Sequence, residues 1–188
     1  TLDNSRSATQ GLAQGQQVSE RFSVLVTDEH GASARQDVVI SVRGTNDNPV
    51  LQNVPFLSVI EGGAVEYGQL NASDVDTGET LSFSTSAQVS GFTLSADGAY
   101  SFDPANAAHQ HLPAGATQTF NIPLSVTDSQ GATATQILTI TLIGTNQGAV
   151  IAGVETGCVT EALASPDTHL LETGGQLSIS DPDSDQAI

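Results

Sequence analysis

The chain has 188 residues, among them 21 acidic residues, four arginines and no lysine, and its formal net charge is −17. This balance excludes nucleic-acid binding as a working hypothesis, because contacts with phosphate require Lys and Arg. It also disfavours docking on anionic lipid, and no apolar stretch approaches the roughly 20 residues of a membrane helix. A divalent cation such as calcium would relieve the self-repulsion of so acidic a chain. The alternative is that the acidic residues serve only solubility or adaptation to salt water.

The first part of the chain predicts a β-hairpin. Apolar and polar residues alternate over 22–26 and again over 38–42, and the polar loop Asp28-Glu-His-Gly31 lies between these runs. Alternation of this kind is typical of half-buried strands, and a short polar loop with glycine is typical of a hairpin turn.

The middle of the chain predicts about seven strands. We expect them near residues 54–60, 64–73, 79–86, 91–95, 99–103, 117–127 and 133–143. A hairpin is expected at Asp97-Gly98, and the long connection 104–116 is expected to hold a short helical turn. Seven short alternating strands in about 100 residues predict an all-β fold, a Greek-key β-sandwich of the Ig-like kind.

The chain repeats itself with a period of 100 residues. Val26-Thr-Asp28 returns as Val126-Thr-Asp128, and Gly44-Thr-Asn46 returns as Gly144-Thr-Asn146. A fixed period indicates tandem units. We therefore expect residues 1–48 to be the C-terminal half of one repeat, 49–148 to be a complete β-sandwich repeat, and 149–188 to be the N-terminal half of a following repeat.

The two half repeats are expected to seek a partner. Half a sandwich exposes apolar faces and strand edges. Residues 1–48 and 149–188 together lack only the equivalents of 82–100. We predict that the halves pack together, either within one chain or head-to-tail between copies, and the second arrangement would form rings or filaments.

Acidic and amide residues collect at the unit ends. Asn46-Asp47-Asn48 forms the first junction, Glu61 ends an apolar strand, and the pair Asp74 and Asp76 follows another strand. Alternate residues of a strand share a face, so both carboxylates of the pair point the same way. Calcium takes about six to eight oxygen ligands from carboxylates, amides and carbonyls. We predict a calcium site in which the first junction meets Glu61, Asp74 and Asp76; bare turn chemistry is the alternative.

The second junction carries the equivalent candidates Glu161, Asp181 and Asp183. Its linker has Gln147 in place of Asp47, Gly148 in place of Asn48, and Ala149 in place of proline. Because calcium affinity follows ligand charge, this site is expected to be weaker and its joint more flexible. The alternative is that backbone carbonyls substitute and both joints behave alike.

The runs from Val26 to Ala32 and from Val39 to Pro49 resemble the end of a bacterial cadherin-like repeat, and the stretch from Phe92 to Pro104 resembles the VCBS repeat of giant secreted RTX-type adhesins. The resemblance implies a calcium-stiffened extender domain of a long protein on the bacterial surface, usually exported by type I secretion, with a role in adhesion and biofilm. Its implied partners are calcium and the neighbouring repeats.

The resemblance also assigns residues. Glu61 matches the glutamate of the first cadherin strand, Asp74 and Asp76 match the Asp-x-Asp pair, and residues 46–48 match the linker. Gly44 departs from the pattern, because cadherin linkers have an aspartate there. The mid-domain acidic ligand pair also has no match in the chain. Asp28 and Asp128, in hairpins facing a domain end, are the candidates for supporting ligands.

We expect no enzymatic activity, because neither a Gly-x-Ser-x-Gly motif nor a phosphate-binding loop occurs. Two alternatives to the extender remain. One is a β-sandwich module that binds sugar or protein, which a cluster of exposed aromatic residues would favour. The other is an accessory repeat of a secreted enzyme. The chain has only two Tyr and six Phe, most at alternating positions expected in the core, and this favours the extender.

Overall fold

The structure is a computed structural model that describes residues 5–154, 156–158 and 174–183. These residues form thirteen strands, one short α-helix (α1, Ser7–Gln10) and one 3₁₀ turn (Ala107–His109). The strands are β1 Gln17–Thr27, β2 Ser33–Arg43, β3 Val50–Gln52, β4 Phe56–Ile60, β5 Glu66–Gln69, β6 Asn71–Ser73, β7 Ser82–Thr85, β8 Phe92–Leu94, β9 Ala99–Phe102, β10 Thr117–Thr127, β11 Thr133–Ile143, β12 Val150–Gly153 and β13 Leu177–Ser180. The predicted all-β class is confirmed. No helix in the described ranges is long and apolar enough to cross a membrane.

The strands form five sheets in the described part of the chain. β1 and β2 form a hairpin in which Gln17 lies opposite Arg43, and β12 pairs with β13. The largest sheet has the order β4-β11-β10-β7. A three-stranded sheet has the order β5-β9-β8, and β3 pairs with β6. All pairings with a known register are antiparallel, as expected for short alternating strands joined by tight turns.

The chain divides into two compact units. The first contains the described parts of Thr1–Phe56, Glu66–Phe102 and Asn121–Thr139, and the second those of Leu57–Val65, Asp103–Phe120 and Ile140–Ile188. The buried apolar residues of the first unit are Leu51, Leu70, Phe83, Tyr100, Phe102, Ile122, Leu124, Val126 and Leu138. Those of the second unit are Val59, Ile140 and Leu142. In the C-terminal halves of β10 and β11 every second residue is buried, as the alternation in the sequence predicts.

The hairpin β1–β2 has the same alternation, but its apolar side chains are exposed. Phe22 and Val24 are each 48% exposed, whereas their equivalents Ile122 and Leu124 are buried. The predicted contact between the half repeats would involve residues 159–173 and 184–188, which lie outside the described residues. That contact and the repeat boundaries stay predictions.

The predicted strand over 64–73 is interrupted. β5 pairs with β9, whereas β6 pairs with β3, so the chain leaves one sheet for another at Leu70. Leu70 is buried, and its backbone N–H donates to the Gly98 carbonyl. Strand β3 was not predicted. Its three residues are too few to show a period.

The glycine that begins each linker, Gly44 or Gly144, is held against a neighbouring loop. The Gly144 N–H donates to the Ala116 carbonyl at 2.8 Å, and its carbonyl accepts from the Gly115 N–H at 3.0 Å. A Cβ on Gly144 would lie 2.4 Å from the Pro113 carbonyl oxygen. Gly44 has the same surroundings, with the Leu12 carbonyl oxygen 2.1 Å from a Cβ. This explains why no aspartate stands at this linker position, since no side chain fits there.

We expect Gly144→Ala to destabilise the protein by about 1–3 kcal/mol, because the methyl group would force two backbone segments apart. The measurement is the denaturant midpoint of unfolding. Gly148→Ala is the matched control, because no atom lies within 4 Å of a Cβ there. Equal stability of the two variants would contradict the steric explanation.

Candidate metal centre

Three segments meet at the first junction. They are the linker 44–49, the loop 74–79 after β6, and the turn 128–132 between β10 and β11. The register of β3 and β6 brings the first two together, because Val50 lies opposite Ser73. The residues before Val50 therefore run beside those after Ser73. Pro49 is fully buried, and because proline has no N–H it needs no hydrogen-bond acceptor there, so it fits the position just before β3.

The side chain of Asn46 ties the linker to the turn 128–132. Its Nδ2 donates to the Asp128 carboxylate (Oδ2) at 2.8 Å and to the Asp47 carbonyl at 2.9 Å. A flipped amide would set Oδ1 against these two acceptors, so the hydrogen bonds fix the orientation. The Oδ1 atom consequently faces away from them. It is buried and has no hydrogen-bond partner.

Asp76 and Asp74 continue the same chain of hydrogen bonds. The Asp47 N–H donates to Asp76 Oδ2 at 2.8 Å, and the Asp76 N–H donates to Asp74 Oδ1 at 2.9 Å. The second oxygens of both carboxylates, Asp76 Oδ1 and Asp74 Oδ2, are buried without a partner. Each aspartate is thus oriented by one oxygen and keeps the other available.

Three buried acceptor oxygens therefore remain in one hydrogen-bonded chain, on Asn46, Asp74 and Asp76. An unsatisfied buried acceptor costs about 1–3 kcal/mol, and more when it carries charge. Since all three atoms are acceptors, the partner they lack is a hydrogen-bond donor or a cation. Carboxylate and amide oxygens are the ligands that calcium prefers.

Asp128 and Glu79 brace the turn 128–132. Asp128 is buried, and its Oδ1 accepts from the N–H groups of Gln130 at 2.9 Å and Ala132 at 2.8 Å. Glu79 Oε2 accepts from the Ser129 N–H at 3.1 Å and from the Ser129 hydroxyl. The hydrogen bond from Asn46, followed by those from the backbone, holds the pKa of Asp128 below its ordinary value of 3.8, against the opposing effect of burial.

The other candidates of the first junction are placed differently. Asp47 contributes its backbone N–H to Asp76, and its side chain is half-buried. Asn48 is exposed. Asp28 is exposed and holds its own turn, since Oδ1 accepts from the N–H groups of His30 at 3.0 Å and Ala32 at 2.8 Å. Asp28 therefore repeats the turn geometry of Asp128.

The second junction has the same backbone scaffold. The Gln147 N–H donates to Asp183 Oδ2 at 2.9 Å, and the Asp183 N–H donates to Asp181 Oδ1 at 3.0 Å. Asn146 Nδ2 donates to the Gln147 carbonyl at 2.9 Å. Asp183 is buried, as Asp76 is. Glu161 lies outside the described residues.

Glu61 lies at the second junction, so the prediction that it meets the first junction is wrong. Its carboxylate accepts from the Thr145 N–H at 2.9 Å and from the Leu112 N–H at 3.3 Å. The reason is its place at the end of β4: the Glu61 N–H donates to the Ile143 carbonyl, at the end of β11. The carboxylate is thus set against the first linker residues of the second junction. Glu61 is only 3% exposed.

Among residues 5–154, 156–158 and 174–183, no three His, Cys, Asp or Glu side chains come together in the arrangement of a metal site. A cation at the first junction would therefore need the Asn46 amide oxygen and further backbone or water oxygens besides Asp74 and Asp76. Such a mixed set is common for calcium, which accepts carbonyl and water ligands.

Residues 46–144 match the family model of the bacterial cadherin-like domain. No curated protein sequence matches the chain. Among solved structures, cadherin domains 1–4 of protocadherin gamma B7 align with 97% of the chain at 14% identity and a TM-score of 0.51. Domains 1–4 of Drosophila N-cadherin align with 71% of the chain at 15% identity and a TM-score of 0.46. The chain spans 43% and 35% of these two structures.

We expect the stability of the metal-free protein to fall as the pH drops below about 4, partly through Asp128. A carboxyl group whose folded-state pKa is lowered stabilises the protein above its unfolded pKa, and this stability is lost as the pH falls through the folded value. Asp128→Asn should therefore lower the melting temperature at pH 7 and flatten its decline between about pH 5 and pH 2.

The matched control is Asp28→Asn, which alters the equivalent turn at an exposed position that receives no hydrogen bond from an asparagine amide, so comparison of the two variants isolates the bond between Asn46 and Asp128. Melting curves recorded by circular dichroism across this range provide the test. If the melting temperature of Asp128→Asn fell as steeply with pH as that of the unaltered protein, Asp128 would not contribute to the loss of stability in acid.

Proposed function

Because the chain belongs to the bacterial cadherin-like domain family, we propose that it is a calcium-stiffened extender segment of a large adhesin on the bacterial surface. In this proposal the chain is not an enzyme. Its partners are calcium ions and the neighbouring repeats, and its setting is extracellular. The VCBS and RTX resemblance of its sequence supports type I secretion and a role in adhesion and biofilm.

The observation that carries the proposal is the set of three buried acceptor oxygens on Asn46, Asp74 and Asp76. One of these residues lies in the linker and two lie in the loop after β6. A calcium ion held by all three would cross-link the linker to the loop. It would supply a positive charge to three acceptor oxygens that lack a donor, and it would thereby restrict rotation about the linker.

The charge of the whole chain supports the same role. With a net charge of −17 the chain repels itself, and the repulsion is strongest where acids cluster. At the first junction Asp47, Asp74, Asp76 and Asp128 lie in one hydrogen-bonded network. Removing calcium would leave these carboxylates to repel one another, so the junction would loosen while the apolar core of the sandwich stays intact.

The 100-residue repeat in the sequence fits an extender made of tandem units. Repeats joined by stiff linkers hold a distant binding domain away from the cell surface. We propose that reach and stiffness are the properties this segment supplies.

Millimolar calcium is expected to raise the melting temperature and to narrow the conformational range of the first junction. Affinity should be weak, on the order of 10⁻⁴–10⁻³ M, as for extracellular calcium modules. The double variant Asp74→Asn/Asp76→Asn should lose the calcium response. Calorimetric titration and small-angle scattering with and without calcium provide the measurement.

The matched control is Glu20→Gln/Glu29→Gln, which removes the same formal charge from exposed positions of the β1–β2 hairpin. It should keep the full calcium response. A protein whose melting and scattering are indifferent to calcium would refute the proposed function.

The second junction is expected to hold calcium more weakly than the first. Both have the same backbone hydrogen bonds, so the difference lies in the side chains of Gln147 and Gly148 against Asp47 and Asn48. Restoring the charge with Gln147→Asp should strengthen the weaker of two calcium steps about tenfold, and Asp47→Gln should weaken the stronger step. Titration of the full chain separates the steps. If Gln147→Asp changed the stronger binding step instead, the second junction would be the tighter calcium site, and the expected order of the two affinities would be wrong.

A further inference from the structure

A second contact crosses the first linker without involving any calcium ligand. Thr77 follows directly after Asp76, and it donates twice to the carbonyl oxygen of Gly11. Its hydroxyl donates at 2.9 Å and its backbone N–H at 3.3 Å. Gly11 precedes the β1–β2 hairpin, and Thr77 follows β6, so the contact joins segments on opposite sides of the linker in sequence.

Gly11 suits this contact because it has no side chain. A Cβ on Gly11 would lie 3.2 Å from the Val75 carbonyl oxygen and 3.6 Å from the Thr77 methyl carbon. Its φ of −77° is ordinary for any residue, so the requirement is space and not conformation. Gly11 also ends helix α1, where its N–H donates to the Ser7 carbonyl at 2.8 Å.

The segment around Gly11 is itself fixed to the beginning of the linker. The Gly44 N–H donates to the Gln16 carbonyl at 2.8 Å, and the Gly15 N–H donates to the Gly44 carbonyl at 3.1 Å. From Gly44 the linker runs to Asp47, whose N–H is bound to Asp76, the neighbour of Thr77. The linker, the segment around Gly11 and the loop after β6 are therefore joined in a ring of hydrogen bonds, and the bond between Thr77 and Gly11 closes that ring.

We propose that Thr77 is a positioning residue that locks the first junction in register through Gly11 and thereby preorganises Asp74 and Asp76. The lock works without calcium, and it strengthens calcium binding because the two aspartates need not be ordered when the ion arrives. The part of the proposal that concerns affinity rests on the proposed function; the part that concerns orientation does not.

The repeat supplies a natural comparison. His111 occupies the place of Gly11 in the 100-residue period. A side chain at this position removes the space that the Gly11 contact uses. We therefore expect the lock at the first junction only, and this adds a reason, independent of ligand charge, for the two junctions to differ.

The test uses the full chain with Cys158→Ser and spin labels at Gln36→Cys and Thr135→Cys, both exposed positions. Electron–electron distance distributions are recorded without calcium. Thr77→Val, which keeps the shape and removes the hydroxyl, should broaden the distribution, and Gly11→His should broaden it at least as much. Thr85→Val is the matched control, because the Thr85 hydroxyl also donates to a backbone carbonyl, that of Pro123, at 2.7 Å.

Calcium titration of the same variants measures the second part. Thr77→Val should weaken binding at the first junction about three- to tenfold, the effect of one hydrogen bond, without changing the number of ions bound. Distance distributions and affinities equal to those of the unaltered protein in both Thr77→Val and Gly11→His would overturn the proposal. If the unaltered protein takes up no calcium, the proposed function fails, and the distance distributions alone then decide whether the lock exists.

Discussion

At both junctions of this chain, a backbone N–H of the linker donates to a buried carboxylate and so fixes the position of the linker. At the first junction the donor is Asp47 and the acceptor is Asp76; at the second the pair is Gln147 and Asp183. Because the donor is a main-chain group, the bond persists although the two linker side chains differ. One oxygen of the acceptor is used to place the linker, so the second oxygen of Asp76 is left for another task. One oxygen of this side chain thus fixes the linker, and the other has no hydrogen-bond partner.

Hydrogen bonds from N–H donors to the carboxylates also explain why so acidic a junction can be compact. Asp128 accepts three hydrogen bonds, from the Asn46 amide and two backbone N–H groups, which compensate its burial. Glu61 is stabilised in the same way by the backbone of Leu112 and Thr145. These acids are structural anchors whose charge is dispersed over N–H dipoles. Asp74 and Asp76 each have only one such donor in the described structure, so one oxygen of each carboxylate is left without a hydrogen-bond partner.

The sequence predicted most strands between residues 54 and 143, because alternation is strong where one face is buried. It predicted the Asp97-Gly98 hairpin for a local reason: Gly98 has a φ of 88°, which glycine adopts without strain. It did not reveal the break at Leu70, because an apolar residue that passes between sheets keeps the alternation of both. The residues of the candidate site were proposed from their spacing and from the resemblance; the place of Glu61 was predicted wrongly, since strand order decides which linker lies beside β4. The contact between Thr77 and Gly11 left no signal, because a threonine and a glycine in loops are common for many reasons.

The hydrogen bonds of the first junction have a consequence for how such proteins change in length. Asn46, Asp47, Asp74, Asp76 and Asp128 all fall within the single stretch 46–144 that matches one family domain. A gene segment that encodes this stretch therefore carries a nearly complete joint with it. If tandem copies recombine, such a segment would add or remove a unit together with these five residues. The contact between Thr77 and Gly11 would not travel with it, because Gly11 lies outside the stretch.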